Sequence, residues 1–492
     1  MTDANDQGLE RRTFLKQMAV ASTAPLAPGL LGAATAQEGS VHQETAHETE
    51  RLAAYASALR YEDLPAPVVE RAKACIADTV AAIIYGAELP WSKMIIAYAR
   101  ANSAAGKSNI LGTSGGPVHA GAAALANGAM THAFELDSLT KPDSGSHPGA
   151  TVFTAALAVA QDRGLSGRDL LAALVAGSEV MFRVGHATKH SNEARGFHAP
   201  GTTGPFGAAT AAGRLMGLDT EKMTNALGVA GSCAGGLLEF AHAGNGAMVK
   251  RLHMGRAAEG GVLAASLAAQ GFTGPTSVLE GEYGFLRVFC NEWDMAELTH
   301  GLGKDYFTLD IMLKRYACHI TAHNPVEAAL DLKNEHKFTA ADVASIAIFG
   351  NDRMVKTNNI PAPPDVMLAQ YSIPFSVALS LYRNPIDPRS FDDGVVHDRA
   401  ILDLASRTKM VAKPGQDRRD LAASVTIKLK DGREVTRTVT SFKGTPERPL
   451  DRAELREKFL LLTQHLGRDR MSPLFDRLQA IEGEKTLDWL NV

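Results

Sequence analysis

Strand-like patterning is confined to one late stretch of this chain, and helical patterning lies on both sides of it. From Thr45 onwards apolar residues recur at three- and four-residue intervals, as over Pro67 to Tyr85, the period of a helix with one buried face. Ser166-Gly-Arg-Asp169 precedes the apolar run Leu170 to Val180, and Asp219-Thr220-Glu221 opens another. Both are helix-start signals, in which a side-chain oxygen accepts from a first-turn N–H. Gly204-Pro-Phe-Gly207-Ala-Ala-Thr-Ala-Ala-Gly213 carries small residues every three or four positions; helix backbones can approach closely there, which predicts a central helix. Beyond about Asp310 the pattern changes. Ser345 to Phe349 reads as a strand, and Ser424 to Leu429 meets Val435 to Thr440 across Asp431-Gly432, a two-residue hairpin signal. Helical pattern resumes over Leu450 to Leu466 and Met471 to Leu490. The order predicts a mainly α protein: a helical domain interrupted by a smaller α+β domain, as expected for 492 residues, too many for one core.

Composition excludes several classes. The formal charge of −4 offers no global positive field to gather nucleic acid or acidic lipid, so an anion must be bound locally. Cys75, Cys233, Cys290 and Cys318 are widely spread with no C-x-x-C pair, which argues against a disulfide framework and a cysteine zinc site. At the N-terminus Arg11-Arg12-Thr13-Phe14-Leu15-Lys16 precedes a weakly apolar stretch to Leu31 and then Ala34-Thr35-Ala36. This is the layout of a twin-arginine export signal (residues 1–36), predicting cleavage after Ala36 and a periplasmic mature protein with no membrane span. Residues 37–50 read as a loose polar leader.

Histidines and acids recur in glycine-lined loops: Glu135-Leu-Asp137, Ser146-His147-Pro148-Gly149 and Gly196-Phe-His198-Ala-Pro-Gly201. Glycine beside a polar side chain permits close approach of a ligand. In Lys250-Arg-Leu-His253-Met-Gly-Arg256, Lys250 and His253, and again His253 and Arg256, are helical neighbours and form a cationic cluster. Lys314-Arg-Tyr-Ala-Cys-His319-Ile-Thr-Ala-His323 spaces two histidines at i and i+4, but Ile320 stands where a zinc protease needs Glu, so no metal is expected. Phosphate-loop, dinucleotide-binding and nucleophile-elbow motifs are absent from the sequence.

These segments, in this order, resemble the MmgE/PrpD family, which includes 2-methylcitrate dehydratases, cis-aconitate decarboxylases and iminodisuccinate epimerases. The resemblance runs from about Glu50 to the C-terminus. It is most specific at Asn127 to Asp137 with His147-Pro148, at Gly196-Phe-His198, at Gly235 to Phe240 through Lys250 to Glu259, at Gly271 to Pro275 and at Lys314 to His323. It implies a helical domain formed by both chain ends (37–309 and 446–492), an α+β lid over 310–445, a site in the cleft between them, and a homodimer. It also implies a cofactor-independent lyase or isomerase for a small di- or tricarboxylate, 2-methylcitrate dehydratase-like. Matching positions give Asp137, His147, His198, Lys250, Lys314 and His319 as catalytic, with Glu135, His253, Arg256, His323 and Tyr371 contacting substrate. The chain departs from the pattern at Ser138, in the expanded stretch Lys141-Pro-Asp143 and at Ala317.

Proton removal next to a carboxylate builds negative charge on an already anionic framework, so it needs a base and fixed positive charge. Lys250, Lys314 and Arg256 are expected to hold carboxylates, His147 or His198 to move a proton, and the acidic pair to orient a histidine or bind a hydroxyl. Dehydration, epimerisation and decarboxylation share that start. A polycarboxylate-binding protein without catalysis would have no use for proton-transfer histidines. A metal-dependent hydrolase would require stoichiometric zinc.

Overall fold

Fourteen helices of the chain suffice to place the site. The computed structural model describes residues 47–140, 144–241 and 247–492; the twin-arginine segment, the cleavage position after Ala36 and Lys141 to Asp143 lie outside them. The early helices are α1 Glu48–Ala58, α2 Ala66–Gly86, α3 Pro90–Ala101, α4 Ala120–Thr131, α5 Thr154–Arg163, α6 Gly167–Ala187, α7 Ala199–Leu215, α8 Thr220–Gly231 and α9 Val249–Ala269. Capping behaves as the sequence implies: Ser166 accepts from Asp169 N in a reciprocal box with the Asp169 side chain, and Asp219 accepts from Lys222 N. Helix α6 has the length and apolarity to cross a membrane, but 94% of that window is buried inside the protein.

Helix α9 packs on α4 and α7, and small residues make the approach possible. A Cβ on Gly255 would lie 2.2 Å from Leu125 O of α4, and one on Gly261 would meet Ala208 of α7. Leucine-sized residues at these positions would separate the helices. The close packing fixes the N-terminal turn of α9, where Lys250 sits.

The later chain adds α10 His323–His336, β1 Val343–Gly350, α11 Ile373–Tyr382, α12 Arg399–Ser406, β2 Thr408–Ala412, β3 Ala423–Leu429 and β4 Glu434–Val439. The sheet order is β2-β1-β3-β4, with β1 parallel to β2 and every other pair antiparallel. Along β3, Ala423, Val425, Ile427 and Leu429 are buried in strict alternation, the mark of a sheet with one covered face. The hairpin differs from expectation by one residue. Lys428 faces Glu434 and Leu429 N donates to Arg433 O, leaving the three-residue loop Lys430 to Gly432. Gly432 adopts φ +92°, which suits a three-residue hairpin ending in a left-handed residue.

The chain then returns through α13 Arg452–Leu462 and α14 Arg468–Leu478. Helix α13 packs on α2, so the helices that follow the sheet join those that precede it. The helix expected over Met471 to Leu490 stops at Leu478, apart from a single turn at Ile481–Gly483. Leu487 and Leu490 are fully buried, and their carbonyls accept from Gln161 Nε2 of α5. Their apolar spacing reflects two anchors of an extended tail rather than a helical face.

Gly255→Ala should destabilise the protein by about 1–3 kcal/mol, because the clash with a backbone carbonyl outweighs the roughly 1 kcal/mol helix-propensity advantage of alanine. Thermal unfolding checks this; an unchanged or raised melting temperature would show that α4 and α9 can separate freely.

Candidate active site

Helix α4 ends at Thr131, and the turn that follows presents three side chains inward: His132, Glu135 and Asp137, each 3% exposed or less. Two residues on, Leu139 and Met312 form an antiparallel bridge, N–H to O at 3.1 Å and 2.7 Å in the two directions. Antiparallel register sets the residue two before Leu139 opposite the residue two after Met312. Asp137 is thereby placed beside Lys314, although 177 residues separate them.

Lys314 Nζ donates to Glu135 Oε2 at 2.8 Å and to Asp137 Oδ1 at 3.2 Å. Lys250, on the first turn of α9, donates to the other Glu135 oxygen. Asp137 Oδ2 binds two imidazoles: His147 Nδ1 at 2.7 Å and His132 Nδ1 at 2.9 Å. An ionised carboxylate only accepts, so both rings donate from Nδ1; burial keeps His132 neutral, so its Nε2 carries a lone pair. Nε2 of His132 is buried with no hydrogen-bond partner.

Further rings close the cluster. His198 immediately precedes α7, its backbone N–H bonded to Gly236 O at 3.0 Å, and its Nδ1 lies 3.1 Å from His253 Nδ1. Gly236, at φ +120°, admits the His253 ring, which a Cβ there would approach at 3.0 Å. Phe240 packs against His198, with ring centres 5.2 Å apart. His319 stacks on Tyr371 at 4.6 Å, and Lys250 Nζ stands 4.8 Å from the same Tyr371 ring.

Burial and charge set the protonation states. Burial drives His132 down to about 3 in spite of Asp137, and His319 likewise to about 3. Burial and the neighbouring Lys250 take His253 to about 4 and hold His198 well below the ordinary imidazole value. Burial opposes ionisation of Glu135 and Asp137. Lys250 and Lys314 overcome it for Glu135, and His132 and Lys314 for Asp137, so both stay well below the carboxylate range. Burial also opposes charge on Lys314, but Glu135 and Asp137 more than offset it and raise the group. Lys250 has less support: burial, with repulsion from Lys314, takes it to about 8 against the pull of Glu135. Two ammonium groups thus face two carboxylates, and burial keeps His132, His198, His253 and His319 around them neutral.

The structure therefore brings together Glu135, Asp137, His147, His198, Lys250, His253, Lys314, His319 and Tyr371. It does not bring in Arg256, whose side chain is 62% exposed and paired with Glu259. Arg256 is six residues beyond Lys250, so the 100° helical step turns it well off the inward face that Lys250 shares with His253. His323 is a framework residue: Nε2 accepts from Tyr316 N, Nδ1 faces His319 O, and the ring packs on Phe442. The cationic cluster expected to hold carboxylates is also largely self-neutralised. Sequence reasoning missed His132, whose only signal was its place five residues before Asp137. It also missed the Glu193 to Arg353 ion pair (3.1 Å), in which Glu193 meets His190 as well.

His132, Asp137 and His147 offer three ligand atoms close enough to share a cation. Both imidazoles already donate to the carboxylate, and the Lys314 ammonium sits on its other oxygen. A divalent ion here would have to displace these bonds against that charge, so the donor set does not fit a resident metal.

The fold and site define a two-part helical protein with a buried acid, lysine and histidine centre. Residues 50–298 match the MmgE/PrpD N-terminal domain and residues 316–477 the MmgE/PrpD C-terminal domain; the chain belongs to the MmgE/PrpD family. It is 30% identical over 447 residues to a cis-aconitate decarboxylase of Aspergillus terreus, covering 84% of this chain and 89% of that one. Human cis-aconitate decarboxylase is 28% identical over 430 residues (84% and 86%). The cis-aconitate decarboxylase-like protein oryM of Aspergillus oryzae is 28% identical over 467 residues (88% and 93%).

Histidines kept neutral by burial bind protons more readily once unfolded. Their stabilising effect is complete above the unfolded value near 6.5 and is lost as pH falls towards about 3. The melting temperature should therefore drop steadily from about pH 6.5 downwards, before carboxylates titrate. A melting temperature flat from pH 7 to pH 5 would mean these rings are not held neutral in the fold.

Proposed function

We propose that this protein is a cofactor-independent carboxylate lyase that decarboxylates cis-aconitate or a close unsaturated tricarboxylate. One observation carries the reading: Asp137 holds two imidazoles and a lysine at once, beside a second lysine whose proton is labile near neutral pH. The relatives are cis-aconitate decarboxylases, which favours decarboxylation over the dehydration of 2-methylcitrate. In such a reaction the bond to the departing carboxylate breaks and its electron pair shifts the neighbouring double bond. The far carbon, next to a second carboxylate, then takes a proton. Carbon dioxide and an unsaturated dicarboxylate result.

Each residue has a part in this scheme. Lys250 and Lys314 hold carboxylates, an incoming one replacing Glu135 on Lys250. Asp137 orients the rings of His132 and His147 through their Nδ1–H groups, and the proton that Lys250 gives up is regained from solvent before the next turnover. Lys250, protonated below about 8, suits the proton donor, since a donor works best with a pKa near the working pH. The apolar face of Tyr371 and the ring of Phe240 keep water from Lys250 and strengthen these charges. The Arg11-Arg12 leader supports the periplasm as the proposed compartment, with the leader removed after Ala36. A homodimer is the proposed assembly, by family likeness.

Purified protein supplied with cis-aconitate in deuterated water should release carbon dioxide and place one solvent deuteron on the product carbon, followed by NMR. Water loss from 2-methylcitrate with no turnover of cis-aconitate would make it a dehydratase, and turnover of neither would defeat the proposal. Because the donor must be protonated, kcat/KM should fall as pH rises through about 8. Glu135 raises Lys250, so Glu135→Gln should move that alkaline limb to lower pH; a limb that stays in place would remove Lys250 as donor.

A further inference from the structure

The turn Glu135-Leu136-Asp137 is held from two directions. Lys314 grips the carboxylates on either side of Leu136. The Leu136 carbonyl accepts from Lys458 Nζ at 3.0 Å, and the same ammonium donates to Asp78 Oδ1 at 2.5 Å. Lys458 comes from α13 and Asp78 from α2, with side chains 3% and 0% exposed. The second Asp78 oxygen is buried with no hydrogen-bond partner, and burial drives this carboxyl upward even with Lys458 beside it.

A buried ion pair that serves packing alone is replaceable by apolar side chains at little cost in stability. This one does something an apolar pair cannot do. Its ammonium divides itself between a half-satisfied carboxylate and the Leu136 carbonyl, which leads directly into Asp137. The Leu136 to Asp137 peptide plane is fixed by that bond, and the Asp137 carboxylate that orients His132 and His147 hangs from it. Hydrogen bonds of 2.7 Å and 2.9 Å do not survive a shift of about 1 Å in their acceptor.

We propose that Lys458, oriented by Asp78, is a positioning residue of the active site: it fixes the Leu136 carbonyl and so aims Glu135 and Asp137 at their lysine and histidine partners. The catalytic consequence rests on the lyase reading above; the geometric one does not. Lys458→Met should lower the melting temperature, since Asp78 is left buried without its partner. The double variant Asp78→Val/Lys458→Met should regain much of that loss. Both should lose kcat for cis-aconitate on the order of a hundredfold with KM little changed, and the Nδ1 proton resonances of His132 and His147 should shift or broaden. A double variant with normal kcat, or with unaltered imidazole resonances, would overturn the proposal. Failure of both variants to fold would also overturn it, by making the pair a folding element. If the unaltered protein does not turn over cis-aconitate, the lyase reading fails by itself, and the imidazole resonances of the variants still decide the role of Lys458.

Discussion

Two ammonium groups and two carboxylates share a space almost closed to water, and the geometry of the site follows from the need to keep them paired. Removing an ion from water costs several kcal/mol even after relaxation, and only complete pairing with good hydrogen bonds offsets it. Lys314 meets this demand by bridging Glu135 and Asp137, and Lys250 meets it with one Glu135 oxygen. The remaining Asp137 oxygen is taken by two imidazoles. The two lysines come from parts of the chain far from the acids, so the cluster also ties the helical body to the segment that leads into the sheet. Gly444 shows how tightly that segment is held. At φ +120° its carbonyl accepts from Leu313 N at 2.9 Å, and a Cβ there would lie 2.1 Å from Leu313 O.

Charge balance changes how an anionic guest is received. A pocket of unpaired cations would attract any polyanion; this one is neutral until a partner is exchanged. On the proposed reading, selectivity then comes from matching the geometry of a carboxylate already present, because a ligand must offer Lys250 and Lys314 what Glu135 offers them. The two lysines respond differently to the same surroundings. Lys314 has two carboxylates and is raised, while Lys250 has one and falls to about 8. The difference separates a fixed charge from a labile proton, two roles that a single lysine could not fill.

Local rules made much of the fold legible. The caps at Ser166 and Asp219 rest on interactions between near neighbours, the strand alternation about Val425 and the small-residue face around Gly207 on the period of the backbone, and each takes the form its residues imply. The errors arose where a longer-range partner decides. Leu487 and Leu490 have helical spacing but answer to Gln161. Arg256 is a helical neighbour of His253 but looks away from the site. Lys314 and Asp137 were recognisable as members of a family pattern, yet nothing in a spacing of 177 residues announces the bridge at Leu139 and Met312 that sets them face to face. His132 was hidden for a related reason: a histidine at the end of an apolar helix has no local mark of function, and its role appears only with Asp137 beside it.

The imidazoles show why such a centre needs a rigid body behind it. Neutral rings buried among charges are stable only while each charge keeps its own partner; a lysine released from its carboxylate would face them unscreened. The small-residue contacts of α9 with α4 and α7 fix Lys250, the Leu139 to Met312 bridge fixes Lys314, and the turn after α4 fixes the acids. On the proposed reading, substrate exchange at Lys250 takes place inside a frame in which its neighbours do not have to move. That allows the developing charge to meet dipoles and ions already in place, with little reorganisation at the moment of reaction. Rigidity here is the condition for keeping opposite charges, labile protons and neutral bases within a few ångströms of one another without their neutralising each other's function.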